Sequence, residues 1–204
     1  MGKPTKLTYS IEKQELLYKG FFGATKYFLK HTLFGGGESN TFSRELFLRT
    51  PAAAVLLYDK THDRVVLVEQ FRVGAMAAND YPWMLEVVAG IAEPGEDPKD
   101  VILREAVEES GCVISKLIPL YSYYPSPGAC NEVIHLYCGL TDSTGAGGIH
   151  GLKEEHEDIK VHVIPSDEAL AMLDSGTINN ATTIIALQWL RMFRKSSENR
   201  NDYL

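Results

Sequence analysis

The stretch DPKDVILREAVEESG, Asp97 to Gly111, constrains this chain more than any other. Its ends are marked for a helix over residues 98–110. Asp97 is a good N-cap, Pro98 suits the first helical position and Asp100 favours the positive end of the helix dipole. Gly111 suits the left-handed residue after the last turn. At 100° per residue Ile102, Leu103, Ala106 and Val107 gather on one side, which must be buried against other elements. Arg104, Glu105, Glu108 and Glu109 fall on the other, with Val101 stranded among them.

That second face is crowded with like charge. Glu105 and Glu109 lie one turn apart, a spacing that costs about a few tenths of a kcal/mol in an isolated helix. Arg104, four residues from Glu108, offsets part of this. Two readings stand on spacing alone: a solvated charged face, or carboxylates that converge on a cation. Glu96 in the loop entering the helix, and Gly90 where a strand end brings carbonyls close, favour the second. Hard oxygen ligands of this kind suit Mg²⁺ or Mn²⁺.

The rest of the chain gives this helix something to pack on. AAAVLLY, the turn DKTHD and RVVLVEQF read as a hairpin of buried strands. WMLEVVAG reads as one strand ending at Gly90, and VISKLIPLYSYY and NEVIHLYCGL as strands around the loop PSPGAC. The glycine-rich TGAGGIHG leads through the acidic run KEEHED to a strand, IKVHVI. PSDEALAMLDSG and ATTIIALQWLRMFRK close the chain as helices. Strands and helices alternate without a regular βαβ rhythm, so the expected class is α/β (α+β), a mixed sheet sandwiched between helices. Residues 1–49 alternate aromatic and polar residues, with joints at Gly23 and at Gly35–Gly37. They predict a small N-terminal β-subdomain, and residues 50–204 the main domain.

With 204 residues and 45% hydrophobic content, the chain can bury one substantial core. Its net charge of −7 argues against nucleic acid or an anionic membrane as partner. An anionic ligand then needs metal ions or local arginines to reverse the sign at the site. Cys112, Cys130 and Cys138 lack CxxC spacing and read as reduced thiols of a cytoplasmic protein. The start MGKPTKLTYSIEKQELLYKG has no apolar signal core, and no run is long enough for a membrane-spanning helix.

Gly90, Glu96 and Arg104-Glu105-Ala106-Val107-Glu108-Glu109-Ser110-Gly111 match the Nudix box, G-x5-E-x7-R-E-U-x-E-E-x-G-U, over residues 90–112. Ala106 and Cys112 stand where a bulkier aliphatic residue is usual, which bears on packing and not on the ligands. The chain therefore resembles the Nudix hydrolases. Through SRELFLR, VEQFR, WMLEVVAG, SPGACNE, GGIHGLKEEHEDIKVHV and INNATTIIALQWL it is most similar to the bacterial ADP-ribose pyrophosphatases.

The resemblance implies a Nudix fold, a homodimer that exchanges its N-terminal region, and two or three Mg²⁺ ions, with Mn²⁺ possible. It also implies hydrolysis of ADP-ribose to AMP and ribose 5-phosphate. The alternatives are other nucleoside diphosphate sugars or dinucleotides, or a non-catalytic ADP-ribose sensor. Glu105, Glu109, the Ala89 carbonyl and Glu157 correspond to metal ligands. Glu108 assists, Arg104 holds loop to helix, and Glu155 corresponds to the general base. Phe21, Phe22, Arg44, Glu45, Arg49, Arg72, Ile91, Ser126, Gly128 and Glu132 correspond to substrate-binding positions. Read without the resemblance, Phe21 and Phe22 are more commonly core residues, Ser126–Gly128 a plain turn, Arg49 and Arg72 surface ion pairs, and KEEHED a solvated loop. His150, His156 and His162 are weaker candidates, because hard metals prefer oxygen.

Overall fold

The computed structural model describes residues 6–93 and 95–197. Residues 1–5 of the stretch read for a signal, Pro94 within the box, and most of the SSENRNDYL tail lie outside the described residues. The chain divides into two compact units, residues 1–50 with 124–132, and residues 51–123 with 133–204. One segment departs from the boundary expected at residue 49: the loop 124–132 folds with the first unit.

In the first unit β1 (Tyr9–Lys19), β2 (Gly23–His31) and β3 (Phe42–Leu48) form an antiparallel sheet in that order. Gly36 and Gly37, at φ 92° and 79°, make the turn after β2, where a β-carbon would be strained. Phe47 donates its N–H to the Ala129 carbonyl at 2.8 Å and thereby ties the loop 124–132 to β3.

The second unit carries β4 (Ala52–Asp59), β5 (Arg64–Phe71), α1 (Val73–Ala77), β6 (Trp83–Glu86), β7 (Val88–Ile91) and α2 (Pro98–Ser110). It continues with β8 (Lys116–Tyr123), β9 (Ile134–Leu140), β10 (Gly148–His150), β11 (Ile159–Pro165), α3 (Ser166–Asp174) and α4 (Ala181–Ser197). The sheet order is β10-β11-β5-β4-β9-β8, with β6 added on β5 and β7 on β4. β4 and β9 run parallel and the other pairs antiparallel, so the sheet is mixed.

Alternation along the strands makes two cores. Val55, Leu57, Val66 and Val68 pack with Val101, Ile102 and Ala106 of α2. Leu56, Tyr58, Val65 and Leu67 pack on the other face with Ala169, Leu187 and Leu190 of α3 and α4. The result is the sandwich expected from the sequence.

Three local expectations are corrected. WMLEVVAG is two strands, not one: β6 pairs with β5 and β7 with β4. The break falls at buried Val87, whose N–H is taken by the Thr183 hydroxyl of α4 at 3.0 Å. The glycine-rich segment supplies a short strand, β10, on the edge of the sheet. Finally, α2 is rotated from its expected orientation. Val101 is fully buried, whereas Leu103 and Val107 are 45% and 50% exposed. The buried stripe therefore runs through Val101, Ile102, Ala106, Glu109 and Ser110, with half-buried Glu105 at its edge, and it turns two glutamates inward.

Candidate active site

The helix that carries the glutamates is fixed at both ends. The Asp97 side chain accepts a hydrogen bond from the Lys99 N–H at 2.9 Å, and Gly111 takes φ 69° with its N–H on the Val107 carbonyl. Arg104 gathers the outer carboxylates: its Nη1 lies 3.0 Å from Glu105 and 2.8 Å from Glu108, and its Nη2 lies 3.9 Å from Glu96. Glu96 in turn accepts from the Glu93 N–H at 3.0 Å. Arg104 thus ties the entering loop to the helix, and although burial works the other way, the charges of Glu105 and Glu108 push its pKa up further.

Glu109 is the unusual member. It is only 3% exposed, and one carboxylate oxygen meets the Ala89 N–H of β7 at a long 3.3 Å. Burial, reinforced by the charge of Glu105, pushes its carboxyl up to about 8. Glu105 is also raised, chiefly by burial, against the opposing pull of Arg104. Glu105 lies directly over Gly90, where a β-carbon would stand 2.2 Å from its Oε1. A glycine is required there so that the carboxylate can approach the strand backbone.

Two further groups belong to this neighbourhood. Arg72, at the end of β5, pairs with Glu86 at 2.6 Å and exerts a favourable charge on Glu109. Glu157 exerts a small unfavourable charge on both Glu105 and Glu109, so it lies near the same cluster. Glu155 stands in an exposed 3₁₀ turn, Lys153–Glu155, and no contact among the described residues joins it to the cluster. Ala89 and Ile91 sit on β7, opposite Ala54 and Ala52.

The sequence reading passed over Gln70. It lies two residues before Arg72 on the same face of β5, is buried, and its Nε2 has no hydrogen-bond partner. A buried amide left unpaired is costly, so such groups mark places where a partner is supplied from elsewhere. Nothing in the pattern VEQFR distinguishes it from an ordinary strand residue.

The remaining expected positions lie in the first unit. Arg49 stacks its guanidinium on Phe22 at 4.3 Å, pairs with Glu132 at 2.9 Å and leaves a buried Nε unpaired. Phe22 also packs against Phe47, while Phe21 beside it is 86% exposed. Arg44 lies over Phe42 and bonds the Ser43 carbonyl, and Glu45 comes within 3.9 Å of Lys26. The Ser126 carbonyl closes a tight turn by accepting from Ala129 and Cys130, and Gly128 faces open space.

The donors around Glu105 and Glu109 are all oxygen, and their mutual repulsion and desolvation are relieved only by added positive charge. This chemistry fits a hard divalent cation. Among the described residues, a tighter His/Asp trio, Asp59, His62 and Asp142, lies at the opposite end of β4. Despite burial, hydrogen bonds from Ser143 and His62 hold the Asp59 carboxyl well below the usual range. Its oxygens already accept from Thr61, His62 and Ser143, so Asp59 serves as a turn lock. His162 pairs with Glu69 at 2.8 Å and His150 bonds the Gly147 carbonyl, so neither serves the glutamate cluster. The three cysteines are free, and burial pushes the Cys138 thiol up to about 12.

Comparison with known proteins agrees with this geometry. Residues 48–186 match the model of the NUDIX domain. The ADP-ribose pyrophosphatase of Escherichia coli K12 is 43% identical over 206 residues, covering 98% of this chain and 99% of that protein. The ADP-ribose pyrophosphatase of Haemophilus influenzae is 46% identical over 182 residues, 88% of this chain and 84% of that one. A crystal structure described as an ADP compounds hydrolase superposes with a TM-score of 0.72 at 18% identity, covering 98% of this chain and 100% of that chain. At that identity the superposition speaks for the fold. With every charged and glycine position of its box present and a match spanning most of its length, this chain belongs to the NUDIX family.

Proposed function

We propose that this protein hydrolyses the diphosphate of ADP-ribose, giving AMP and ribose 5-phosphate. The observation that carries the chemistry is Glu109, a buried carboxyl that meets the Ala89 N–H of β7, beside Glu105 over Gly90. The near full-length similarity to curated ADP-ribose pyrophosphatases supports the substrate.

Glu105 and Glu109, with Glu157 and the Ala89 carbonyl, would hold the divalent cations, Mg²⁺ in this reading and two or three in number. When bound, the ions supply neutralisation of phosphate charge and activation of water. The chain's own residues do the rest. Arg72 offers a charge-assisted hydrogen bond to a diphosphate oxygen, for which Glu86 holds it oriented. Arg104 keeps Glu105 and Glu108 in place. By the family resemblance Glu155, once its loop closes on the site, takes the proton of the attacking water as the new P–O bond forms and the bridging P–O bond breaks. In the first unit, Phe22 and Arg49 form a flat surface suited to stacking a base, with Phe21 exposed beside it. The roles of Arg44, Glu45, Ile91, Ser126, Gly128 and Glu132 in holding substrate rest on the family resemblance.

We read the protein as a cytoplasmic homodimer. Strand β1 is exposed along almost its whole length, with Leu16, Leu17 and Tyr18 among its open side chains, a surface that a second copy would cover. Among the described residues no helix is long and apolar enough to cross a membrane.

The test is hydrolysis of ADP-ribose, ADP-glucose, GDP-mannose and NADH, each with and without Mg²⁺. ADP-ribose is expected to be preferred and to require the metal. Preference for another substrate would overturn the ADP-ribose reading. Absence of turnover on all four would favour a sensor.

A further inference from the structure

Glu157 is bound twice to the start of its own loop. Its Oε2 accepts from the Leu152 N–H at 3.0 Å, and its own N–H donates to the Leu152 carbonyl at 3.1 Å. Between these ends the chain makes the 3₁₀ turn, with the Glu155 N–H on the same Leu152 carbonyl at 3.0 Å and His156 at φ 58°. The ring from residue 152 to 157 is therefore closed from both sides.

Gly151, just before it, meets two demands that only glycine satisfies. Its φ is 97°, and a β-carbon there would lie 2.6 Å from the Glu157 β-carbon. Its N–H donates to the Glu108 carbonyl of α2 at 3.3 Å. One residue upstream, His150 packs against Gly111, the cap of the same helix. The loop is thus seated on the last turn of the helix that supplies Glu105 and Glu109.

We propose that Gly151 and the Leu152 amide are positioning residues: together they clamp the Glu157 carboxylate beside the glutamates of α2 and fix the ring on which Glu155 stands. Engaging Oε2 with a neutral N–H leaves Oε1 to face a cation. Neither residue carries chemistry of its own, so neither shows in a motif. The inference deepens the metal-site reading above and rests on it.

The experiment uses the full chain. In the metal-free protein, exchange of the Leu152 amide is followed by NMR in wild type, Gly151→Ala, Glu157→Ala and Glu157→Gln. Mn²⁺ alone is then titrated by electron paramagnetic resonance. Protection is expected in wild type and in Glu157→Gln, whose amide oxygen still accepts, and is lost in the other two. Mn²⁺ binding should weaken about tenfold in Gly151→Ala, as for removal of an outer support to a ligand. The melting temperature should drop by only a few degrees, since the strain is confined to a half-buried surface loop. An unprotected Leu152 amide in wild type, or undiminished Mn²⁺ affinity in Gly151→Ala, would overturn the clamp. Undiminished Mn²⁺ affinity in Glu105→Gln/Glu109→Gln would instead overturn the metal site, and the metal-free exchange data separate the two failures.

Discussion

At the scale of single residues, Glu109 links fold to chemistry. Its carboxyl is raised to about 8 by burial and by Glu105, whereas in the unfolded chain it titrates near the ordinary carboxylate value. Between those values the folded protein holds a proton that the unfolded chain has released. Metal-free stability must therefore fall as pH rises through this window, by at most about 1.4 kcal/mol per pH unit from this group. Denaturant unfolding of the metal-free protein from pH 5 to 9 should show the decline, and Glu109→Gln should flatten it. The same variant should lose kcat by about two orders of magnitude or more under saturating Mg²⁺. Gly90→Ala is a gentler test. Its new methyl would collide with the mobile end of Glu105, which can swing away, so the melting temperature should hardly move while turnover drops about tenfold or more. The glutamates were legible through the spaced match of Gly90, Glu96 and Arg104–Gly111, since a charge repeat at helical spacing alone fits a solvated face equally well. The inward rotation of α2 was not, because one face of a helix cannot be told from another when both carry aliphatic residues. Leu103 and Val107 drew the expected face outward, and Val101 was its discarded clue.

Elements show a different limit. Most strands and all the long helices could be read from periodicity and from turns such as DKTHD. The run WMLEVVAG could not be divided, since every residue in it suits a strand, and the break depends on Thr183 almost a hundred residues away. Thr183 is fully buried, so Thr183→Val keeps the volume but orphans the Val87 N–H. The expected cost is about 1–3 kcal/mol. For a chain of this size that corresponds to a fall in melting temperature of roughly 2–12 °C, readable by calorimetry. The short helix α1, which lies between β5 and β6, also escaped the sequence reading; its five residues are too few to show a period. The glycine-rich segment gives no strand signal. Its strand, β10, is held by pairing with β11, a long-range event that local composition cannot report.

For the whole molecule, association is the open physical question that the exposed β1 raises. Sedimentation at micromolar concentration should give twice the monomer mass of 22.7 kDa, and charged replacements at Leu16 and Tyr18 should shift it towards monomer. The fold class was readable because composition, alternation and one amphipathic helix all pointed to the same layered arrangement. The path of the chain between the two units was not, because residues 124–132 carry mostly turn signals and join the first unit through long-range backbone bonds and the side chains of Asn131 and Glu132. That route has a practical consequence for anyone hoping to trim the protein. The Ala129 carbonyl, the Asn131 side chain and Glu132 are all satisfied by Phe47 and Arg49. Cutting the gene after codon 50 would therefore leave a stranded loop in the remainder, with a carboxylate deprived of its counterion. The amino-terminal piece is not a detachable cassette, and neither half can be swapped or shortened without redesigning nine residues of the other.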